Sequence, residues 1–217
     1  MPGKELIEEL KRDYRSKRPL IEKRLAEFRK RYKKGDRAIF EELCYCIVTA
    51  GSSAKMGTKT VEALQDILHS GSMAELRNRA REHRLRFWRV RTAYIYVTRE
   101  YLKAAFGLKL RHLLESFDGR DARRDFFAQN KSVKGLGYKE ASHFLRNIGY
   151  PGYAILDKHI MNSLREMGVI SKSMRHTTRA GYLEIEKRLE QFAAEIGIDM
   201  DHLDLLLWSR KTGEILK

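Results

Sequence analysis

Apolar residues recur along the chain at spacings of three and four, and no sustained alternation marks a half-buried strand. In AIFEELCYCIV, Phe40, Leu43, Cys44, Ile47 and Val48 share one helical face. In YLEIEKRLEQFAAEI, Tyr182, Ile185, Leu189, Phe192 and Ile196 do the same, and the basic first 34 residues carry similar periodicity. Breakers fall at Gly35, Gly51–Ser53, Gly57, Gly71, Gly107, Gly119, Gly135 and Gly137, Gly149–Gly152 and Gly168, which leaves helices of ordinary length between them. Only Pro2, Pro19 and Pro151 could interrupt a helix by ring geometry. The pattern predicts an all-α fold without internal repeats or low-complexity segments.

The chain has 217 residues, 42% of them hydrophobic, enough for one good-sized domain or two helical subdomains sharing a core. Charge changes the picture more than size does. The formal net charge is +15, and an excess this large calls for an anionic partner. Residues 77–91, RNRAREHRLRFWRVR, hold seven arginines against one glutamate, interleaved with Phe87 and Trp88. Arginine forks bind phosphate oxygens and aromatic rings stack on or wedge beside bases, so Arg86, Arg89 and Arg91 are candidate DNA contacts. A basic ribosome-associated protein would carry a similar charge.

Cys44 and Cys46 lie two apart in an apolar helical run, on nearly opposite sides of a helix. They can neither pair nor chelate one metal, and a cluster or zinc site needs about four ligands. The expectation is therefore no iron–sulfur cluster and no required cofactor, with both thiols as core residues in a reducing compartment. No apolar run approaches the roughly 20 residues of a membrane span, and MPGKELIEEL has no signal-peptide core. An intracellular protein of the cytoplasm or nucleoid, away from membranes and monomeric, is expected.

The most specific segment is SVKGLGYKEASHFLRNIGY, residues 132–150. It reads as a helix end, a Gly-Leu-Gly-Tyr turn, and a second helix starting near Lys139 with Ala141, Phe144, Leu145 and Ile148 on its inner face. Gly135 and Gly137 permit a sharp turn with close backbone approach to a ligand, and the open N–H groups beyond it suit a DNA phosphate. An ordinary αα-turn is the alternative. After Tyr153 comes AILDKHIMNSLREMG, in which Asp157 occupies an N-cap position, Ile160, Leu164 and Met167 form a buried stripe, and Gly168 is the stop. Capping and catalysis by Asp157 are compatible.

GLGYKEASHFLRNIGY followed by AILDKHI resembles the helix-hairpin-helix DNA glycosylase superfamily, and the terminal DLLLWSRKTGEILK resembles its small archaeal-type 8-oxoguanine branch. The likeness extends in weaker form to ELCYCIVTA and RFWRVRTAYI. It implies a base-excision repair enzyme acting on double-stranded DNA that contains 8-oxoguanine or abasic sites. Lys139 resembles the nucleophile that attacks the sugar, displaces the base and forms a Schiff base whose β-elimination nicks the strand. Asp157, 18 residues later, resembles the aspartate that stabilises the developing oxocarbenium charge. His159 and Tyr138 fall at DNA-facing positions, although His159 also reads as a plain surface histidine. The carbonyls of Lys131, Val133 and Leu136 match the family's monovalent-cation site, taking Na or K. Trp208 and the terminal Lys217 match the base-reading end, with a core tryptophan as the other reading of Trp208. The loop TAGSSAKMG, residues 49–57, lies where the family fills the hole left by a flipped base, and its small polar residues name no filler.

Two helical subdomains with a cleft between them follow, about 55–130 and about 1–54 plus 150–217, with the hairpin motif 132–150 at the mouth. Two rivals stay open: a cluster-free endonuclease III-like glycosylase for other oxidised bases, and a non-catalytic helix-hairpin-helix DNA-binding protein.

Overall fold

The computed structural model describes residues 3–215, and these form helices and connecting loops with no strand. In order they are α1 (Lys4–Lys33), α2 (Asp36–Thr49), α3 (Ala54–Leu64), α4 (Met73–Glu82), α5 (Trp88–Phe106), α6 (Leu110–Glu115), α7 (Gly119–Gln129), α8 (Tyr138–Asn147), α9 (Lys158–Glu166), α10 (Arg179–Ile196) and α11 (Met200–Thr212). The predicted stripes are the buried ones. Tyr182, Ile185, Leu189, Phe192 and Ile196 of α10 are buried, as are Ile160 and Leu164 of α9 and Met167 just beyond it.

The apolar residues form two clusters. One runs from Ile39 to Tyr153 and gathers α2 to α8; the other gathers α1 with α9, α10 and α11. α2 packs in the first cluster, whereas the sequence grouped it with the N-terminal helix. The reason lies in α2 itself. Its apolar face suggested one buried side, yet every residue from Ala38 to Thr49 is buried, including Glu41 and Glu42. Those carboxylates are buried because they are paired: Arg31 Nε lies 3.3 Å from Glu42, and Asn147 Nδ2 donates to Glu42 at 2.9 Å. A helix enclosed on all sides has no face from which its partner can be read.

Gly57, expected as a breaker, lies inside α3. A Cβ there would stand 2.1 Å from Thr49 Cγ2, so close packing of α3 on α2 explains the glycine.

Candidate active site

The hairpin is built from α7, the turn of residues 130–137, and α8. Asn130 organises the turn: its Oδ1 accepts from Ser132 N at 2.9 Å and its carbonyl from Val133 N at 3.0 Å. Thr98 Oγ1 accepts from Lys134 N at 2.8 Å and ties the turn to α5. Gly135 has φ +82°, and a Cβ there would lie 2.6 Å from the Tyr94 ring, so both conformation and space require glycine. Gly137, at φ −102°, is in ordinary extended backbone. Glycine offers no capping side chain; instead Glu140 Oε2 accepts from Gly137 N at 3.3 Å, and the N–H groups of Tyr138, Lys139 and Glu140 are left open to an anion. The Tyr138 side chain, expected to face DNA, turns inward. Its hydroxyl bonds Asp125 at 3.0 Å and Gln129, and its ring lies 5.7 Å from Tyr182. What Tyr138 presents outward is its amide.

Lys139, Asp157, His159 and Trp208 line one pocket of about 440 Å³, within the size range of small-molecule sites. Lys139 stands in the first turn of α8, its side chain 27% exposed and its Nζ 3.7 Å from Glu140. Asp157 caps α9, Oδ1 accepting from Ile160 N at 2.8 Å. Its Oδ2 takes no hydrogen bond among the described residues, so one oxygen caps and the other is available to the pocket. His159 is exposed at the rim, and Trp208 is partly buried, packed against the second cluster on one side and open to the pocket on the other. Lys217 lies outside the described residues. The chain is followed to Ile215, whose carbonyl accepts from Arg24 Nη2 at 3.2 Å, beside the pocket-lining Glu214.

Sequence reasoning missed several pocket residues. His143 and Arg146 follow Lys139 at helical spacing on α8, and that spacing is the signal that could have found them. Tyr45 of α2 meets His143 edge to face at 5.8 Å, and burial pushes its hydroxyl pKa well up. Asp204 is fully enclosed: burial pushes its carboxyl up, while Arg146, 2.5 Å away, and the Ile155 amide pull it back. Residues 49–57, expected as one loop, are the end of α2, a turn and the start of α3, and Ser52, Ser53, Ala54 and Lys55 among them also line the pocket.

The arginine stretch ends α4, turns, and begins α5. Arg86 and Arg89 are exposed, stacked 4.7 and 4.8 Å over Phe87 and Trp88. Phe87 itself is 55% exposed with φ +58°, a conformation rare outside glycine and costly to hold. Arg91 is partly committed, donating to the Ala50 carbonyl at 2.5 Å and so bracing the turn between α2 and α3. Arg79 is taken up by Asp66 and the Ala63 carbonyl. Both cysteines are buried in α2, and burial raises the Cys44 thiol pKa. Among the described residues no group of three or more His, Cys, Asp or Glu could hold a metal ion, and no helix is long and apolar enough to cross a membrane.

Comparison with known proteins narrows what such a pocket belongs to. The model of the family described as 8-oxoguanine DNA glycosylase matches residues 21–198. The 8-oxoguanine DNA glycosylase/AP lyase of Methanocaldococcus jannaschii is 36% identical over 211 residues, 97% of each chain. That of Korarchaeum cryptofilum is 38% identical over 200 residues, 92% of this chain and 91% of the other. The crystal structure of the Methanocaldococcus jannaschii enzyme with a 15mer DNA containing 8-oxoguanine superposes with a TM-score of 0.88, at 34% identity, over 98% and 99% of the two chains. The 8-oxoguanine DNA glycosylase of Thermotoga maritima superposes with a TM-score of 0.85, at 31% identity, over 98% and 99%. The chain belongs to the 8-oxoguanine DNA glycosylase family.

Proposed function

We infer that this chain excises 8-oxoguanine from double-stranded DNA and cleaves the abasic site, with Lys139 as nucleophile, Asp157 as its electrostatic partner and Trp208 with Lys217 reading the base. The observation that carries this reading is convergence: Lys139, Asp157 and Trp208, from three separate helices, line one pocket. The names of the relatives, glycosylase/AP lyase, support an enzyme over a non-catalytic binding protein and 8-oxoguanine over other oxidised bases.

The chemistry follows from the groups present. The unprotonated Lys139 amine attacks C1′ of the lesion sugar; the C1′–N9 bond breaks and its electron pair leaves with the base. As that bond lengthens, positive charge grows on the sugar, and the free oxygen of Asp157 stabilises it. The amine adduct loses a proton and opens the sugar ring to a Schiff base. Removal of a C2′ proton then expels the 3′-phosphate and cuts the strand. The α8 N-terminus and the exposed Arg86 and Arg89 supply phosphate contacts, with His159 at the rim and Arg91 holding the neighbouring loop. The carbonyls of Lys131, Val133 and Leu136 take no hydrogen bond from the described residues; they would hold a Na or K ion, which would supply positive charge toward a phosphate. No other cofactor enters the scheme.

Borohydride reduction in the presence of an 8-oxoguanine duplex tests the reading. The expected result is a covalent protein–DNA adduct mapping to Lys139; excision without an adduct at Lys139 would overturn the assignment.

A further inference from the structure

Asp204 is 1% exposed, yet it reaches the pocket. Its two oxygens serve two elements that the chain places far apart. Oδ2 accepts from Arg146 Nη1 at 2.5 Å, and Oδ1 from the Ile155 backbone amide at 3.2 Å. Arg146 lies two turns along α8 from Lys139, and all of Lys139, His143 and Arg146 line the pocket. Ile155 stands two residues before Asp157, and Asp204 stands one turn before Trp208 on α11. A single carboxylate therefore joins the helix of the nucleophile, the segment that delivers the aspartate and the helix that carries the base-facing tryptophan.

The segment needs such a hold. Residues 152–156 have no strand partner, and side chains of α10 and α11 bind their backbone instead. Asp201 accepts from Gly152 N at 3.0 Å, Glu186 from Ala154 N at 3.0 Å, and Tyr182 donates to the Ala154 carbonyl at 2.6 Å. A second link to α8 runs through Glu186 to Arg124, at 2.7 Å, and on to Ser142, at 3.3 Å, on the side away from the pocket. The fold thus has a rear tie that does not involve Asp204. A buried ion pair is weak grounds for stability, since neutral groups of similar shape often serve as well. What the pocket-side pair fixes is separation.

We propose that Asp204 and Arg146 are positioning residues for base excision, holding Lys139 and Asp157 at their working separation. The inference rests on the reading of those two as catalytic. Misplacement of reacting groups by about 1 Å can cost on the order of a hundredfold in rate.

The test is the double variant Arg146→Met/Asp204→Asn, which removes both charges while the introduced amide oxygen still accepts from the Ile155 N–H. Thermal unfolding, affinity for a duplex with a tetrahydrofuran abasic analogue, and single-turnover 8-oxoguanine release at saturating enzyme are measured together. The double variant is expected to unfold within a few degrees of wild type and bind within about threefold, yet to release base about ten- to a hundredfold more slowly. Rates returning to within about threefold of wild type along with the fold would overturn the proposal, as would a loss confined to affinity. Should the double variant not fold, Asp204→Glu keeps the charge and moves it by one methylene. It is expected to slow release at unchanged affinity, and full activity in it would be equally fatal. Wild-type protein that gives no borohydride adduct at Lys139 would overturn the catalytic assignment itself, and this inference with it.

Discussion

The helices α8 and α11 meet at the pocket but are different kinds of helix. α8 is buried from Ala141 to Asn147, but its first turn, Tyr138 to Glu140, is partly exposed and its uncapped, Gly-flanked N-terminus is open to solvent. α11 is buried from Met200 through Leu207 apart from His202, and again at Ser209, with Trp208 partly exposed. On the proposed reading the first supplies groups for sugar and phosphate, the second for the base. Chemistry at the sugar can be carried by an exposed helix end with open N–H groups. Recognition of a flipped base needs an enclosed wall, because a hydrogen-bonding or stacking site discriminates only where water is excluded.

The largest expected effect breaks the α8 side. Lys139→Gln should abolish base release, strand cleavage and borohydride trapping while duplex affinity stays within about threefold, because one amine among many cations contributes little to grip. Lys139→Arg should fail equally, since a guanidinium remains protonated. Gel assays of both variants decide, and base release by either would remove Lys139 from the mechanism.

Asp157→Asn comes next. Asparagine caps a helix about as well as aspartate, so the melting temperature should move by only a few degrees. Loss of the negative charge should lower single-turnover release on the order of a hundred- to a thousandfold. A large drop in stability with a near-normal rate would make Asp157 purely structural.

Variants on the α11 side should separate the two activities. Trp208→Ala forfeits stacking worth ~1–3 kcal/mol, roughly five- to 150-fold, from 8-oxoguanine excision. It should leave cleavage of a preformed abasic site nearly intact, because that step has no base to read. Deletion of Lys217 should show the same asymmetry. Equal loss of both activities would dissolve the division between the two walls.

The smallest effect concerns the arginine stretch. Each phosphate contact removed should flatten the slope of log affinity against log salt by about 0.9. Replacing Arg86 and Arg89 with alanine should do so in full, measured by titration across salt concentrations. Adding Arg91→Ala should change the slope less and slow base release more, because its Nη2 holds the Ala50 carbonyl of a pocket-lining loop. A full third increment would mean that Arg91 leaves that carbonyl to meet DNA.

The hairpin was legible because its signals are local. A glycine at positive φ, a turn between two helices and an aspartate at an N-cap are fixed by residues within a few positions of each other, and all three stand where the sequence set them. The placement of α2 was not, because a helix buried on every side shows no preferred face. The inward turn of the Tyr138 ring depends on Asp125 and Tyr182, which no local pattern links to it.

By itself, then, the sequence determined the all-helical class, the hairpin, the places of Lys139 at a helix start and of Asp157 as an N-cap, and the family. Tertiary structure alone decided which charges stay open to solvent and which are struts. Arg86 and Arg89 are exposed, while Arg99, Arg124 and Arg146 are buried against carbonyls and carboxylates, and all read alike as basic residues. The physical reason is desolvation: a guanidinium can be buried only where a partner from a distant segment meets it, and that meeting is a property of the packed chain.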